Sequence, residues 1–301
     1  MNDMSDTKTK KRQYVIHMII TAVALGIIGY SLLLEHARHS QPVASIHVLS
    51  PITLAPESLT ARAAIVYDPS DGQILFSKNS EMQLPLASLT KLMTADAALS
   101  VMSATSSVRF SKQALATEGS SGFKVGETWP LGKLIRYSLL VSSNQGMAAV
   151  AESAGGQAFI EQMNTHAQDM SLAQTYFLDP TGLDLTTETA GAYGSPHDVA
   201  MLAADFYRSH PSYFESTLTP DSDKIIGPNK IALAAVTAAP LFDIPGLIGA
   251  KTGYTDLAGG NLVVIFDESL GHPLIAVVLH STEQGRYSDI HALINAVRVQ
   301  H

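Results

Sequence analysis

The stretch Pro85-Leu-Ala-Ser-Leu-Thr-Lys-Leu-Met-Thr-Ala95 places a serine and a lysine three residues apart at the start of a predicted helix. Leu, Ala and Met dominate the run from about Ser88 to Ser100, a composition that favours a helix. Residues three apart share a helix face, so the Lys91 amine can approach the Ser88 hydroxyl. The helix N-terminus also favours a negative charge that develops near Ser88. An N-cap serine followed by a surface lysine would give the same pattern.

Sequence context separates this Ser-x-x-Lys pattern from the two others in the chain. Ser5 precedes Lys8 in the charged N-terminal segment, and Ser121 precedes Lys124 in a stretch too rich in glycine for a helix. The chain has no cysteine, which excludes thiol catalysis, and no G-x-S-x-G turn, which counts against an α/β-hydrolase. A serine nucleophile needs a base beside it, and a lysine on the same helix face is one.

Two more polar triads follow along the chain. Ser142-Ser-Asn144 is a short turn between helical patterns, and Lys251-Thr-Gly253 ends a β-rich run. Gly249 and Gly253 in that run predict a place where a ligand approaches the backbone. Ser-x-x-Lys, Ser-x-Asn and Lys-Thr-Gly in this order form the signature of penicillin-binding proteins and class A β-lactamases.

The sequence resembles a serine D-alanyl-D-alanine carboxypeptidase, a low-molecular-mass penicillin-binding protein. Beyond the triads, the likeness extends to Glu118-Gly-Ser-Ser-Gly-Phe-Lys-Val-Gly126, Asp179-Pro-Thr-Gly-Leu-Asp184 and Gly249-Ala-Lys-Thr-Gly-Tyr-Thr-Asp256. It runs from about Ala61 to the C-terminal helix. The resemblance implies removal of the terminal D-alanine from peptidoglycan stem peptides, with β-lactams as covalent inhibitors. It implies neither a cofactor nor a metal.

The resemblance also implies the catalytic roles. Ser88 would attack the substrate carbonyl, Lys91 would be its general base, and Ser142 would relay a proton to the departing D-alanine. Lys91 must then be neutral near pH 7, far below the ordinary lysine pKa of about 10.4. Burial and the like charge of Lys251 are both expected to lower its pKa.

Substrate-binding roles follow from the same resemblance. The Asn144 amide would hold the substrate's peptide group, and the backbone N–H groups of Ser88 and Tyr254 would form the oxyanion hole. Thr252 and Arg286 would bind the terminal carboxylate, since a planar guanidinium suits a carboxylate. Lys251 and Gly253 complete the substrate-binding set that the resemblance implies.

Strand-like runs at both ends of the folded part, with helical patterns between them, predict one α+β domain. Three late runs have connections too short for crossover helices, so they are expected to pair antiparallel. The resemblance implies the DD-peptidase/β-lactamase-like fold, an antiparallel sheet flanked by helices with a mainly helical subdomain. The predicted strands are Ala63–Tyr67, Gln73–Phe76, Leu247–Lys251, Asn261–Phe266 and Pro273–Leu279, and a closing helix is predicted over Tyr287–Val299.

The N-terminal segment predicts a membrane anchor. Residues 14–34 are apolar over a length that spans about 30 Å as a helix, and basic residues precede them. The positive-inside rule then places residues 1–13 in the bacterial cytoplasm and the rest outside the membrane. Residues 35–60 are expected to be a tether and 61–301 the catalytic domain, without a C-terminal β-domain. A cleaved signal peptide remains the alternative to an uncleaved anchor.

Charge and motif content limit the other functions. The net charge of −8 combines +2 over residues 1–40 with −10 over the remainder, which is unfavourable for a nucleic-acid partner. Three alternatives to the carboxypeptidase stay open: a DD-endopeptidase that cuts D-Ala cross-links, a β-lactamase and a penicillin-sensing ectodomain. A β-lactamase normally has a loop glutamate that activates water, and no glutamate between the second and third triads sits in such a motif.

Overall fold

A computed structural model describes residues 18, 21–27, 29–31, 49–119, 122–218, 238–269 and 271–301. The chain divides into two units, Met1–Val48 and Leu49–His301. The predicted cytoplasmic tail, residues 35–48 of the predicted tether, and Ser121 lie outside the described residues.

The first unit is described only at residues 18, 21–27 and 29–31, all of them helical. These residues belong to the predicted membrane span, residues 14–34. Within the part of the chain that the structure describes, no helix is both long and apolar enough to cross a membrane.

The second unit is built on a five-stranded antiparallel sheet that joins the two ends of the folded chain, as predicted. The strand order is β2-β1-β10-β9-β8. Strand β8 therefore lies at one edge, paired with β9. The strands are β1 (Ala63–Asp68), β2 (Gln73–Lys78), β8 (Leu247–Thr255), β9 (Gly259–Ser269) and β10 (His272–Ser281).

Both faces of the sheet are covered by other parts of the chain. Alternate residues of the central strands point to opposite sides, so each of these strands contributes to two cores. Ile65 and Val277 belong to one hydrophobic core, and Ala64 and Val278 belong to the other. The predicted closing helix packs on the second face and spans Gly285–Gln300. The α+β class and the antiparallel pairing are therefore confirmed.

Helices and short strands fill the middle of the chain and cover the first face of the sheet. The helices are α1 (Thr90–Val101), α2 (Lys112–Ala116), α3 (Leu131–Leu140), α4 (Asn144–Ala154), α5 (Gln157–Asp169), α6 (Pro196–Ser209) and α7 (Pro211–Glu215), and the closing helix is α8. The short strands are β3 (Leu84–Pro85), β4 (Ser107–Arg109), β5 (Thr128–Pro130), β6 (Tyr176–Phe177) and β7 (Ala192–Gly194). Short 3-10 turns span Pro56–Ser58, Ala87–Leu89 and Ala239–Leu241.

The folded unit starts earlier than the predicted boundary at Ala61. Leu49, Ile52 and Leu59 are buried in the second core, and the Ile52 N–H donates to the Leu75 carbonyl at 2.8 Å. The predicted tether is therefore too long at its C-terminal end. These residues bury isolated apolar side chains without forming a longer helix or a strand, so their sequence has no periodicity that would predict packing.

A buried carboxyl group joins helix α8 to the start of β1. Asp289 accepts hydrogen bonds from the backbone N–H groups of Thr60 and Ala61, at 2.9 and 2.8 Å. Its other donors are the hydroxyls of Thr60 and Ser281, at 2.8 and 2.7 Å. Arg286 lies one turn earlier on the same helix, so this network also fixes a predicted site residue.

We predict that Asp289→Ala lowers the free energy of unfolding by about 3 kcal/mol or more, since each buried donor left unpaired costs roughly 1–3 kcal/mol. Urea unfolding measures the change. The matched control is Asp205→Ala, whose ion-pair partner is the exposed Arg208, and its effect should stay within about 0.5 kcal/mol. Equal effects of the two substitutions would contradict the network's importance.

Candidate active site

Ser88 lies in the 3-10 turn Ala87–Leu89, which leads directly into helix α1. The backbone there is tightly confined. Ala87 has a positive φ of 48°, which is uncommon for a residue with a side chain. A Cβ at Gly182 would lie 1.9 Å from the Ala87 carbonyl oxygen, so only glycine permits this approach. The nucleophile candidate is therefore held by a strained turn that a second loop packs against.

Lys91 reaches Ser88 from the first turn of α1, as the three-residue spacing predicts. Its Nζ lies 2.6 Å from Ser88 Oγ and donates to the Thr181 carbonyl at 2.8 Å. The side chain is fully buried, at 0% exposure. Burial lowers the pKa of Lys91 to about 7, against an opposing effect of the Asp179 charge. A large fraction of the amine is therefore neutral near pH 7.

The second triad meets the third through Lys251. Lys251 is also fully buried, and its Nζ donates to Ser142 Oγ at 2.9 Å and to the Thr252 carbonyl at 2.7 Å. Burial lowers the pKa of Lys251 well below its ordinary value, and the charges of Lys91 and Arg286 lower it further. A nearby positive charge was expected to lower the pKa of Lys91, but this effect acts on Lys251 instead. The lowered pKa of Lys91 is due to burial, the other effect that was expected.

The three residues of the Ser142-Ser-Asn144 turn make different contacts. Ser143 is the N-cap of α4, and its hydroxyl accepts the Gly146 N–H at 3.0 Å. Ser142 precedes the cap with a positive φ of 55° and is the residue that meets Lys251. Asn144 donates from Nδ2 to the Glu118 carbonyl at 3.1 Å. Its buried Oδ1 has no hydrogen-bond partner among the described residues.

Arg286 comes from α8 to the far end of the Lys-Thr-Gly segment. Its Nη1 donates to the Gly253 carbonyl at 2.7 Å, and its guanidinium carbon lies 4.9 Å from the centre of the Tyr287 ring. The side chain is buried, and its Nε has no partner within the described part of the chain. Thr252 next to it is also buried, whereas the Tyr254 side chain is 48% exposed.

The two glycines of strand β8 pack against protein atoms. A Cβ at Gly253 would lie 3.0 Å from the Leu86 carbonyl oxygen and 3.1 Å from the Ser88 nitrogen. A Cβ at Gly249 would lie 2.1 Å from the Phe214 ring. The prediction that these glycines give a ligand access to the backbone needs correction. Their small size lets the strand lie directly against the Ser88 turn and helix α7.

The loop Asp179–Asp184 touches the site, a contact that the sequence does not predict. Asp179 Oδ1 accepts the backbone N–H groups of Thr181 and Gly182, at 2.7 and 2.9 Å. This closes the turn that presents the Thr181 carbonyl to Lys91. An aspartate followed at two and three residues by backbone donors is a common turn pattern, so the turn was predictable but its contact with Lys91 was not.

The clefts and the His, Asp and Glu side chains of the described residues also bear on function. A cleft of about 550 Å³ lies between the sheet and helix α6, lined by Tyr67, Met201, Tyr207 and Ile275 among others, and contains none of the predicted site residues. Across the described ranges, no group of three or more His, Asp or Glu side chains is arranged to hold a metal ion. At Ser88 the described side chains place a hydroxyl beside a buried amine.

Comparisons with known proteins agree with this arrangement. The family model described as D-alanyl-D-alanine carboxypeptidase, peptidase S11, matches residues 50–283. D-alanyl-D-alanine carboxypeptidase DacF of Bacillus subtilis is 32% identical over 211 residues, which are 65% of this chain and 51% of that protein. The DacA enzyme of Escherichia coli is 30% identical over 255 residues, 78% of this chain and 60% of its own length.

A solved structure gives the same result for the fold. Penicillin-binding protein D2 from Listeria monocytogenes, in its ampicillin-bound form, superposes with a TM-score of 0.68 at 27% identity. The match covers 79% of this chain and 97% of that one. The chain spans about half to three fifths of the length of the two curated relatives. Since the family model covers more than half of the sequence, this chain belongs to the D-alanyl-D-alanine carboxypeptidase family.

Proposed function

We propose that this chain is a serine D-alanyl-D-alanine carboxypeptidase that removes the terminal D-alanine from peptidoglycan stem peptides. The observation that carries the proposal is the pair formed by Ser88 Oγ and Lys91 Nζ, 2.6 Å apart, with burial lowering the lysine pKa to about 7. The names of the two curated relatives and the ampicillin-bound relative support the same substrate class.

The acylation step uses the geometry around Lys91. With one N–H directed to the Thr181 carbonyl, the neutral amine can take the Ser88 proton with its lone pair. Ser88 Oγ then bonds to the carbonyl carbon of the penultimate D-alanine. The backbone N–H groups of Ser88 and Tyr254 are proposed to stabilise the oxyanion.

Departure of D-alanine completes acylation. The C–N bond breaks, and the leaving nitrogen takes a proton through Ser142, which lies 2.9 Å from Lys251 Nζ. Ser142 regains the proton that Lys91 took from Ser88, so Lys91 is neutral again and no net proton is gained or lost. Water then attacks the acyl-enzyme with Lys91 again as the base, and this releases the shortened peptide and restores Ser88.

Substrate binding is proposed to use the remaining site residues. Thr252 and Arg286 would hold the terminal carboxylate, Lys251 would add positive charge, and the Asn144 amide would hold the substrate's peptide group. Gly253 lets its strand lie against the Ser88 turn. These cations lie in a domain of net negative charge, so they are a local attraction for an anionic peptide terminus.

We also propose that residues 14–34 anchor the chain in the bacterial cytoplasmic membrane, with the catalytic domain on the outer side. The support is the apolar composition of the segment and the basic residues before it.

Carbonate extraction tests the anchor. An uncleaved span keeps the full-length chain in the membrane pellet, and protease added outside spheroplasts digests the catalytic domain. A shortened chain released by carbonate would contradict the anchor and indicate a cleaved signal peptide.

We predict that Ser88→Ala abolishes labelling by a fluorescent penicillin and D-alanine release from a pentapeptide, while the melting temperature stays close to that of the wild type. Ser100→Ala, in helix α1 that follows the Ser88 turn, is the matched control and should keep both activities. Labelling of Ser88→Ala would show that the nucleophile is wrong.

Assays of the wild type separate the alternative functions. Cleavage of cross-linked dimers without D-alanine release would favour an endopeptidase. Rapid turnover of the drug would favour a β-lactamase.

The pH dependence of acylation tests the role of Lys91. Only the neutral amine accepts the Ser88 proton, so the rate constant for penicillin acylation should rise with pH through a midpoint near 7. The Asp179 charge favours protonated Lys91, so removing it should lower the pKa of the amine. We predict that Asp179→Asn, which keeps an oxygen acceptor for Thr181 and Gly182, moves the midpoint to lower pH. Stopped-flow acylation measures it, and an upward shift or no shift would contradict the assignment.

A further inference from the structure

The carboxyl group of Asp184 ties the loop beside Lys91 to the end of strand β8. Its Oδ1 accepts the Thr255 hydroxyl at 2.9 Å, and its Oδ2 accepts the Leu257 N–H at 3.1 Å. Thr255 Oγ1 in turn accepts the Ala258 N–H at 3.2 Å. One side chain thus holds the last residue of β8 and the turn that follows it.

The other end of the same loop is fixed to the catalytic residues. The Thr181 carbonyl accepts from Lys91, and Gly182 packs against the backbone of Ala87. Asp184 is only two residues beyond Gly182. Residues 179–184 therefore connect the Ser88 turn to strand β8 through a short loop that has its own internal hydrogen bonds.

Tyr254 lies between two fixed points of β8. Before it, Gly253 packs against the backbone of the Ser88 turn, and after it, Thr255 is held by Asp184. Among the described residues, strand β8 is an edge strand that pairs with β9 alone, so the described sheet restrains it from one side. The contact with Asp184 supplies restraint at the end of the strand.

We propose that Asp184 is a positioning residue that sets the backbone N–H of Tyr254 against the carbonyl oxygen of the acyl group on Ser88. This inference rests on the proposed function, because it assumes an oxyanion hole at Ser88 and Tyr254. An oxyanion-hole donor acts only when it lies within about 2.7–3.1 Å of the developing oxyanion. A small displacement of β8 would reduce stabilisation of the transition state more than it reduces binding of the substrate.

The expected effect is a loss of acylation rate with little loss of binding. Removal of a whole oxyanion-hole donor lowers the rate by about 10²–10³-fold. Asp184→Ala displaces a donor without removing it, so we expect a fall of about 10- to 100-fold in the first-order acylation rate constant for penicillin. The dissociation constant of the preceding non-covalent complex should change by less than about 3-fold, since ground-state contacts are kept.

The experiment is a double-mutant cycle followed by stopped-flow acylation of the full chain. Thr255→Val removes the hydroxyl that Asp184 accepts and should slow acylation in the same way. Combined with Asp184→Ala, it should add less than its own separate loss, because the hydrogen bond between Asp184 and Thr255 is already absent. Thr255→Ser keeps the hydroxyl and should restore a rate close to that of the wild type. Asp256→Ala, exposed in the same turn, is the matched control and should leave the rate unchanged.

Wild type and Ser88→Ala are measured first, so the two hypotheses fail separately. A wild-type chain that penicillin does not acylate would overturn the proposed function. Normal wild-type acylation with an equally fast Asp184→Ala variant, or a loss confined to the dissociation constant, would overturn the role of Asp184. If melting curves show that Asp184→Ala is unfolded at the assay temperature, Thr255→Val against Thr255→Ser decides the question, and equal rates for these two would overturn the proposal.

Discussion

The burial of the Lys91 amine is the constraint on which the rest of the site depends. Removing an ammonium group from water costs free energy, so burial favours the neutral amine and lowers the pKa of Lys91 to about 7. The amine keeps two partners, the Ser88 hydroxyl and the Thr181 carbonyl. The first comes from the turn before helix α1, and the second from a loop about ninety residues later. The fold must bring both to one point before Lys91 can act as a base.

The five-stranded sheet brings the Lys251-Thr-Gly253 segment to the same point. Strand β8 places Lys251 beside Ser142 and packs Gly253 against the Ser88 turn. Helix α8 then carries Arg286 to the Gly253 carbonyl, and the Asp289 network holds that helix. Two buried lysines and a buried arginine converge in an otherwise acidic domain. Burial lowers the pKa of Lys251, the charges of Lys91 and Arg286 lower it further, and a bound anion would offset the effect of these charges.

Local patterns in the sequence were sufficient for the individual strands of the sheet, for helix α1 and for the pair formed by Ser88 and Lys91, because each depends on residues close together in the chain. The start of the folded unit was not predictable, since Leu49 packs without periodic neighbours. The contact between Asp184 and Thr255 joins residues 71 apart and leaves no local signal. For the same reason, the sequence suggested Lys251 as the charge that acts on Lys91, whereas the structure brings Asp179 close.

A direct titration of the Lys91 side chain tests the central claim. Lysine can be labelled with ¹³C and ¹⁵N in the full chain, and the Lys91 signal assigned by its loss in Lys91→Met. The chemical shifts of Cε and Nζ, followed by NMR, then report protonation of this amine alone. The buried, neutral base predicts a transition with a midpoint near pH 7. A Lys91 that stays protonated to about pH 9 or above, near the ordinary lysine range, would contradict it.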